Sequence, residues 1–140
     1  MNRTIKFKAK RIDNNEWVEG NFIKDGKPDM REFYIQTVPT FDETFGTLYE
    51  VDPNTIGQFT GLEDKNGKEI FEGDILEFTF EDIGKQKAIV YFNDKYAAFL
   101  LNPIANFEFT KMSEGKVIGN IYDNPELLKG EWYGRKIDKK

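Results

Sequence analysis

Apolar and polar residues alternate from Thr4 to Arg11, with Ile5, Phe7 and Ala9 on one face and Lys6, Lys8 and Lys10 on the other. That two-residue period is the mark of an amphipathic strand. Asp13-Asn14-Asn15 supplies turn formers before Glu16-Trp17-Val18-Glu19-Gly20-Asn21-Phe22-Ile23, so the first 24 residues predict a hairpin. Asp25-Gly26-Lys27-Pro28-Asp29 turns the chain into a short strand from Phe33 to Val38, which Pro39 ends because it has no N–H to donate. Thr40 to Gly46 reads as a loop, Thr47 to Val51 as a strand and Asp52-Pro53-Asn54 as a turn. β-Branched and aromatic residues crowd this part of the chain without a 3.6-residue stripe, which disfavours helix.

The stretch from Ile56 to Phe80 organises the rest of the chain. Asn66-Gly67 is the pair favoured by a type I′ hairpin turn, in which both central residues take φ > 0. Gly73-Asp74 makes a second corner, after which Leu76, Phe78 and Phe80 alternate with Glu77 and Thr79. Lys87 to Phe92 and Tyr96 to Leu101 predict another hairpin, and Phe107 to Thr110 and Val117 to Tyr122 predict further strands. A helix is expected only at the end, where Asn124 suits an N-cap, Pro125 the first position and Glu126 the first turn. Leu127 and Leu128 would dock it on the sheet, with Gly130 as its stop. The pattern therefore predicts a mostly β fold of antiparallel sheets with a short C-terminal helix, in one domain over residues 1–130 followed by a charged tail, 131–140.

Composition sharpens this picture mainly by exclusion. A chain of 140 residues buries roughly 68–70% of its unfolded surface, and 13 Phe, 6 Tyr and 2 Trp can fill a small β core without metals or disulfides. The absence of cysteine removes thiol chemistry, and the absence of histidine removes the commonest general base and zinc ligand. A net charge of −5 argues against nonspecific binding to DNA or anionic membrane. No leader-like or membrane-spanning apolar run occurs, so a soluble, unexported protein is expected.

The acids Glu63, Asp64, Glu69, Glu72, Asp74 and Glu77 concentrate in the central stretch. Glu72 and Asp74 could serve as an acid–base pair or bind a divalent cation. The simpler reading is that Asp64 serves the turn, Asp74 bonds backbone N–H groups at its corner, and Glu69 and Glu77 face solvent. Gly57, Gly61, Gly67 and Gly73 lack the Gly-Lys-Ser/Thr continuation of a phosphate loop. No catalytic residue, metal site or cofactor is therefore expected.

Two binding candidates stand out. Lys6, Lys8 and Lys10, with Arg3 and Arg11 nearby, form the sustained basic patch, and beside Trp17, Tyr91 or Tyr96 they could bind single-stranded nucleic acid by charge and stacking. The competing reading is the solvated face of an edge strand, where lysines discourage edge-to-edge pairing. Trp132-Tyr133 in the polar tail suits either an anchor for a partner or second copy, or a cover over the protein's own core.

The blocks Ile56-Gly57-Gln58-Phe59-Thr60-Gly61-Leu62, Asp64-Lys65-Asn66-Gly67-Lys68, Ile70-Phe71-Glu72-Gly73-Asp74-Ile75 and Ile118-Gly119-Asn120-Ile121-Tyr122-Asp123-Asn124-Pro125-Glu126-Leu127-Leu128 resemble the YopX family of phage and prophage proteins. Ile5 to Ala9 and Trp17 to Gly20 extend the resemblance, while Asp25 to Val51 matches least. The resemblance implies an SH3-like barrel portion within a mostly β fold, an origin in a phage or prophage, and no established activity or catalytic residue to carry over. The expected role is a non-catalytic accessory protein of the bacterial cytoplasm that binds a host or phage protein or itself, away from membranes. Nucleic-acid binding through Lys6, Lys8 and Lys10 is the alternative. Binding is expected on the basic first strand, the Asp25–Val51 segment or the aromatic tail.

Overall fold

Among the residues that the computed structural model describes, 3–24, 32–103 and 111–128, the strands lie in two antiparallel sheets. The chain divides into two compact units, residues 1–59 and 60–140. In the first, β1 (Phe7–Lys10), β2 (Trp17–Lys24), β3 (Phe33–Gln36) and β4 (Leu48–Glu50) form a meander. Asn15, at φ +62°, closes the β1–β2 turn. After β4, Asp52 accepts the Asn54 N–H at 3.0 Å and opens a 3-10 turn, Pro53–Thr55. This delivers the chain into β5 (Gly57–Glu63), whose first residues return antiparallel beside β1.

The inward residues of this meander build one core. Ala9, Ile35 and Val51 are buried at its centre, with Phe7, Val18, Phe22, Phe33 and Ile56 packed around them. Phe22 stacks on Phe33 at 5.9 Å and contacts Phe7 at 5.7 Å. Gly20 is required where β2 meets β3, because a Cβ there would lie 2.1 Å from the Gln36 carbonyl oxygen. One expectation is corrected: β1 is flanked by both β2 and β5, so its lysines do not decorate an edge strand. The barrel portion is also not closed by a continuous ladder among the described residues. A single bridge, Arg11 to Val51, joins the end of β4 to the end of β1, since the 3-10 turn begins two residues beyond Val51.

In the second unit, β5 continues into a hairpin with β6 (Glu69–Phe71). Then β7 (Asp74–Phe80), β8 (Gly84–Asn93), β9 (Ala98–Asn102) and β10 (Lys116–Asn120) form a sheet in the order β10-β7-β8-β9. Leu76 and Phe78 point into a core with Ile70, Ala88, Val90, Leu101 and Met112, and Phe80 packs against it as the alternation requires. Ile75 and Ile89 form a second apolar cluster, covered by Ile118, Ile121, Leu127 and Leu128. The central strand β7 therefore buries apolar side chains in both clusters.

Two local expectations change. The turn at Asn66-Gly67 is a three-residue loop, with Gly67 N–H donating to Asp64 O at 3.0 Å and Asp64 N–H to Lys68 O at 2.7 Å. Gly67 takes φ +85° but Asn66 does not take a positive φ, because the Asp64 carboxylate captures the Asn66 N–H and sets an Asx turn. The C-terminal helix is a single 3-10 turn, Pro125–Leu128. The Asn124 side chain turns back to accept the Asn120 N–H at 3.2 Å instead of capping forward, while Leu127 and Leu128 dock as expected. The Phe107–Thr110 strand, the Asp25–Asp29 turn, Gly130 and the 131–140 tail lie outside the described residues.

Candidate functional site

The β1–β2 register sets Lys10 opposite Trp17 and Lys8 opposite Glu19. It thereby gathers the basic stripe and the tryptophan on one face. Lys8 Nζ lies 4.7 Å and Lys10 Nζ 5.6 Å from the centre of the Trp17 ring, while Lys6 sits 5.2 Å over the Phe59 ring and 3.4 Å from Glu19. Each cation–π contact is worth about 0.5–1 kcal/mol at an exposed site. The ring that a nucleobase would stack on thus already holds two ammonium groups. Trp132 and Tyr133 lie outside the described residues.

Two acids of the central stretch, Asp64 and Asp74, bond backbone N–H groups. Asp64 Oδ1 accepts the N–H groups of Asn66 and Lys68 at 2.8 and 2.9 Å, and Oδ2 accepts that of Val117 at 2.9 Å. Burial alone would raise its carboxyl, but the Val117, Lys68 and Asn66 N–H groups, helped by the Lys68 charge, hold it below the ordinary carboxylate value. Asp74, also buried, accepts the Phe71 N–H at 2.8 Å. Among the described residues no group of three or more His, Cys, Asp or Glu side chains could hold a metal ion.

The connection between β3 and β4 has the opposite character. Thr37 N–H donates to Thr47 O at 2.9 Å, Thr47 N–H to Thr37 Oγ1 at 2.8 Å, and Thr40 N–H to Glu43 Oε1 at 2.9 Å, so the loop is tied at its neck and at its tip. Gly46 is obligatory, since a Cβ would stand 1.6 Å from the Thr37 carbonyl oxygen. On this ordered frame Val38 is 73%, Phe41 105%, Phe45 76% and Leu48 52% exposed. The residue pattern predicts a loop here but not that its phenylalanines face solvent. One signal in the sequence points to the region's distinct character, because no Lys or Arg occurs between Arg31 and Lys65.

Beside Leu48 the surface dips into a cleft of about 230 Å³ lined by Arg11, Ile12, Asp13, Leu48, Tyr49 and Glu50. Arg11 is neutralised by two hydrogen bonds to Asp13, at 2.9 and 2.6 Å, and its guanidinium lies 4.2 Å from the Tyr49 ring centre. Its hydrogen bonds to Asp13 draw that carboxyl below its usual value. Ile12, itself exposed, lines the same cleft as Leu48.

The fold defines a small, mostly β protein built on antiparallel sheets. The YopX protein family matches residues 6–129, and the chain belongs to that family. It is similar to the crystal structure of protein EF1440 from Enterococcus faecalis, at 27% identity over 91% of this chain and 99% of that one, with a TM-score of 0.53. No curated protein matches. Among the described residues no helix is long and apolar enough to cross a membrane.

Proposed function

We propose that this protein is a non-catalytic protein-interaction module, an accessory protein of phage or prophage origin working in the bacterial cytoplasm. The β3–β4 loop is its principal contact surface. The observation that carries this reading is the exposure of Val38, Phe41, Phe45 and Leu48 on a backbone held by specific hydrogen bonds. Large apolar side chains left exposed within one short, tied loop are a feature that marks interaction sites, and aromatic side chains on a fixed frame bind with little ordering cost. The meander β1–β4, the 3-10 turn and the return of β5 beside β1 support assigning the SH3-like portion to the first unit. Commitment of Asp64 and Asp74 to backbone N–H groups supports a structural role for those acids.

The test is affinity capture from bacterial lysate with the intact chain and with Phe41→Ser/Phe45→Ser, each with and without nuclease. A stoichiometric protein retained by the wild type and lost by the variant supports the module. Nuclease-sensitive recovery independent of the phenylalanines overturns it in favour of nucleic-acid binding, for which the Lys8–Trp17–Lys10 cluster is the supporting observation. That second reading requires salt-sensitive affinity for single-stranded DNA or RNA that falls when Lys8 and Lys10 become alanine.

A further inference from the structure

The loop carries more than apolar surface: its own segment of chain carries acidic side chains and no basic ones. Asp42 and Glu43 sit between Phe41 and Phe45, Glu50 rims the neighbouring cleft, and residues 32–64 contain no Lys or Arg. Arg11, the cation of the cleft, is balanced by Asp13. With roughly 150–250 Å² available from each phenylalanine, the four exposed side chains present on the order of 500 Å². That is short of the ~800 Å² per partner that a stable interface of standard size buries. A symmetric contact of this face with itself would bring Asp42 and Glu43 of both copies together, and the same charge disfavours an acidic partner.

Resting on the interaction-module reading, we infer that the β3–β4 loop and the adjoining cleft dock a short protein segment carrying a bulky apolar side chain flanked by Lys or Arg. The apolar anchor packs on Phe41, Phe45 and Leu48, and Leu48 shares the lining of the cleft with the exposed Ile12. The flanking cations face Asp42, Glu43 and Glu50. Attraction across such a rim speeds encounter and excludes acidic competitors, while the buried anchor supplies most of the affinity.

The experiment is a display selection of short random peptides on the intact protein, followed by fluorescence anisotropy of the enriched peptides. Phe41→Ser tests the anchor, and the combined Asp42→Asn, Glu43→Gln and Glu50→Gln variant removes charge while keeping the acceptors that Thr40 uses. The expected result is enrichment of apolar–basic peptides, weakened about tenfold or more by Phe41→Ser, and about tenfold by the neutral variant with a loss of salt sensitivity. Enriched peptides that are acidic or uncharged, and indifferent to the neutral variant, overturn the charge assignment but leave the interaction module standing. A concentration-dependent dimer abolished by Phe41→Ser overturns the inference in favour of a second copy, again leaving the module. Failure to recover any Phe41-dependent peptide overturns the inference, while the lysate capture with Phe41→Ser/Phe45→Ser decides the module separately.

Discussion

Asp64 accepts the amide hydrogen of Val117 at 2.9 Å across 53 positions of sequence. The same carboxylate holds Asn66 and Lys68, so one buried side chain both shapes the β5–β6 turn and fastens it to β10. Its folded pKa lies below the unfolded value of about 3.9. The resulting stability is therefore complete above that value and is lost as pH falls through the folded pKa. Asp64→Asn should cost about 1–3 kcal/mol at neutral pH, since an amide nitrogen cannot accept these N–H groups. Urea titrations from pH 7 downward should show a flatter acid limb for the variant than for the wild type, and parallel limbs would refute the assignment.

Gly67 and Gly73 both take positive φ, at +85° and +94°, but differ in what surrounds them. A Cβ on Gly67 meets nothing within 4 Å, whereas one on Gly73 lies 3.1 Å from the Tyr122 ring. Gly67→Ala should cost only the left-handed strain, about 1 kcal/mol. Gly73→Ala should cost more, and part of the excess should vanish in a Tyr122→Ala background. Thermal melts of the four variants test this, and equal losses at both glycines would argue against the Tyr122 contact.

Leu76 and Phe41 make a controlled pair. Leu76 is fully buried in the cluster with Ile70 and Phe78, whereas Phe41 is fully exposed. Leu76→Ala should lower stability by about 2–5 kcal/mol. Phe41→Ser should stay within about 0.5 kcal/mol of wild type. A large loss at Phe41, read by chemical denaturation, would mean that its ring supports the fold and not a partner.

Replacing Lys8 and Lys10 together with alanine should cost about 1–2 kcal/mol through the two cation–π contacts. The same pair of substitutions should cost less when Trp17 is already alanine, which a double-mutant comparison reads directly. In a Trp132→Phe background the tryptophan emission should also shift, because Trp17 then reports its own surroundings. Unchanged emission and full additivity would count against the geometry over the ring.

Much of the strand pattern is legible in sequence because each of its signals is local. The alternation of Lys6, Lys8 and Lys10 with Phe7 and Ala9 marks β1 without knowledge of its neighbours, and Gly67 and Gly73 mark corners through φ alone. Asn66 shows the limit of such rules. Asn-Gly favours type I′, but the carboxylate two residues earlier captures the Asn66 N–H and selects a different turn. Asn124 has the residue type of an N-cap, yet its side chain bonds backward to Asn120, leaving a 3-10 turn. For the candidate site, the basic face is legible as a stripe, whereas its closure onto Trp17 depends on the β1–β2 register.

The sequence by itself determined the class of this protein: mostly β, rich in aromatic residues, without histidine or cysteine, and bearing the ordered blocks of the YopX family. Those properties follow from composition, local motifs and periods of two residues, which need no long-range information. Only tertiary structure decided that β1 lies between two strands, that Asp64 reaches Val117, and that Phe41 and Phe45 face outward. The physical reason is that burial is a relation between distant segments. A phenylalanine carries the same hydrophobic drive wherever it occurs, and in this loop the Thr37–Thr47 hydrogen bonds and the space left by Gly46 hold the backbone that turns it to solvent.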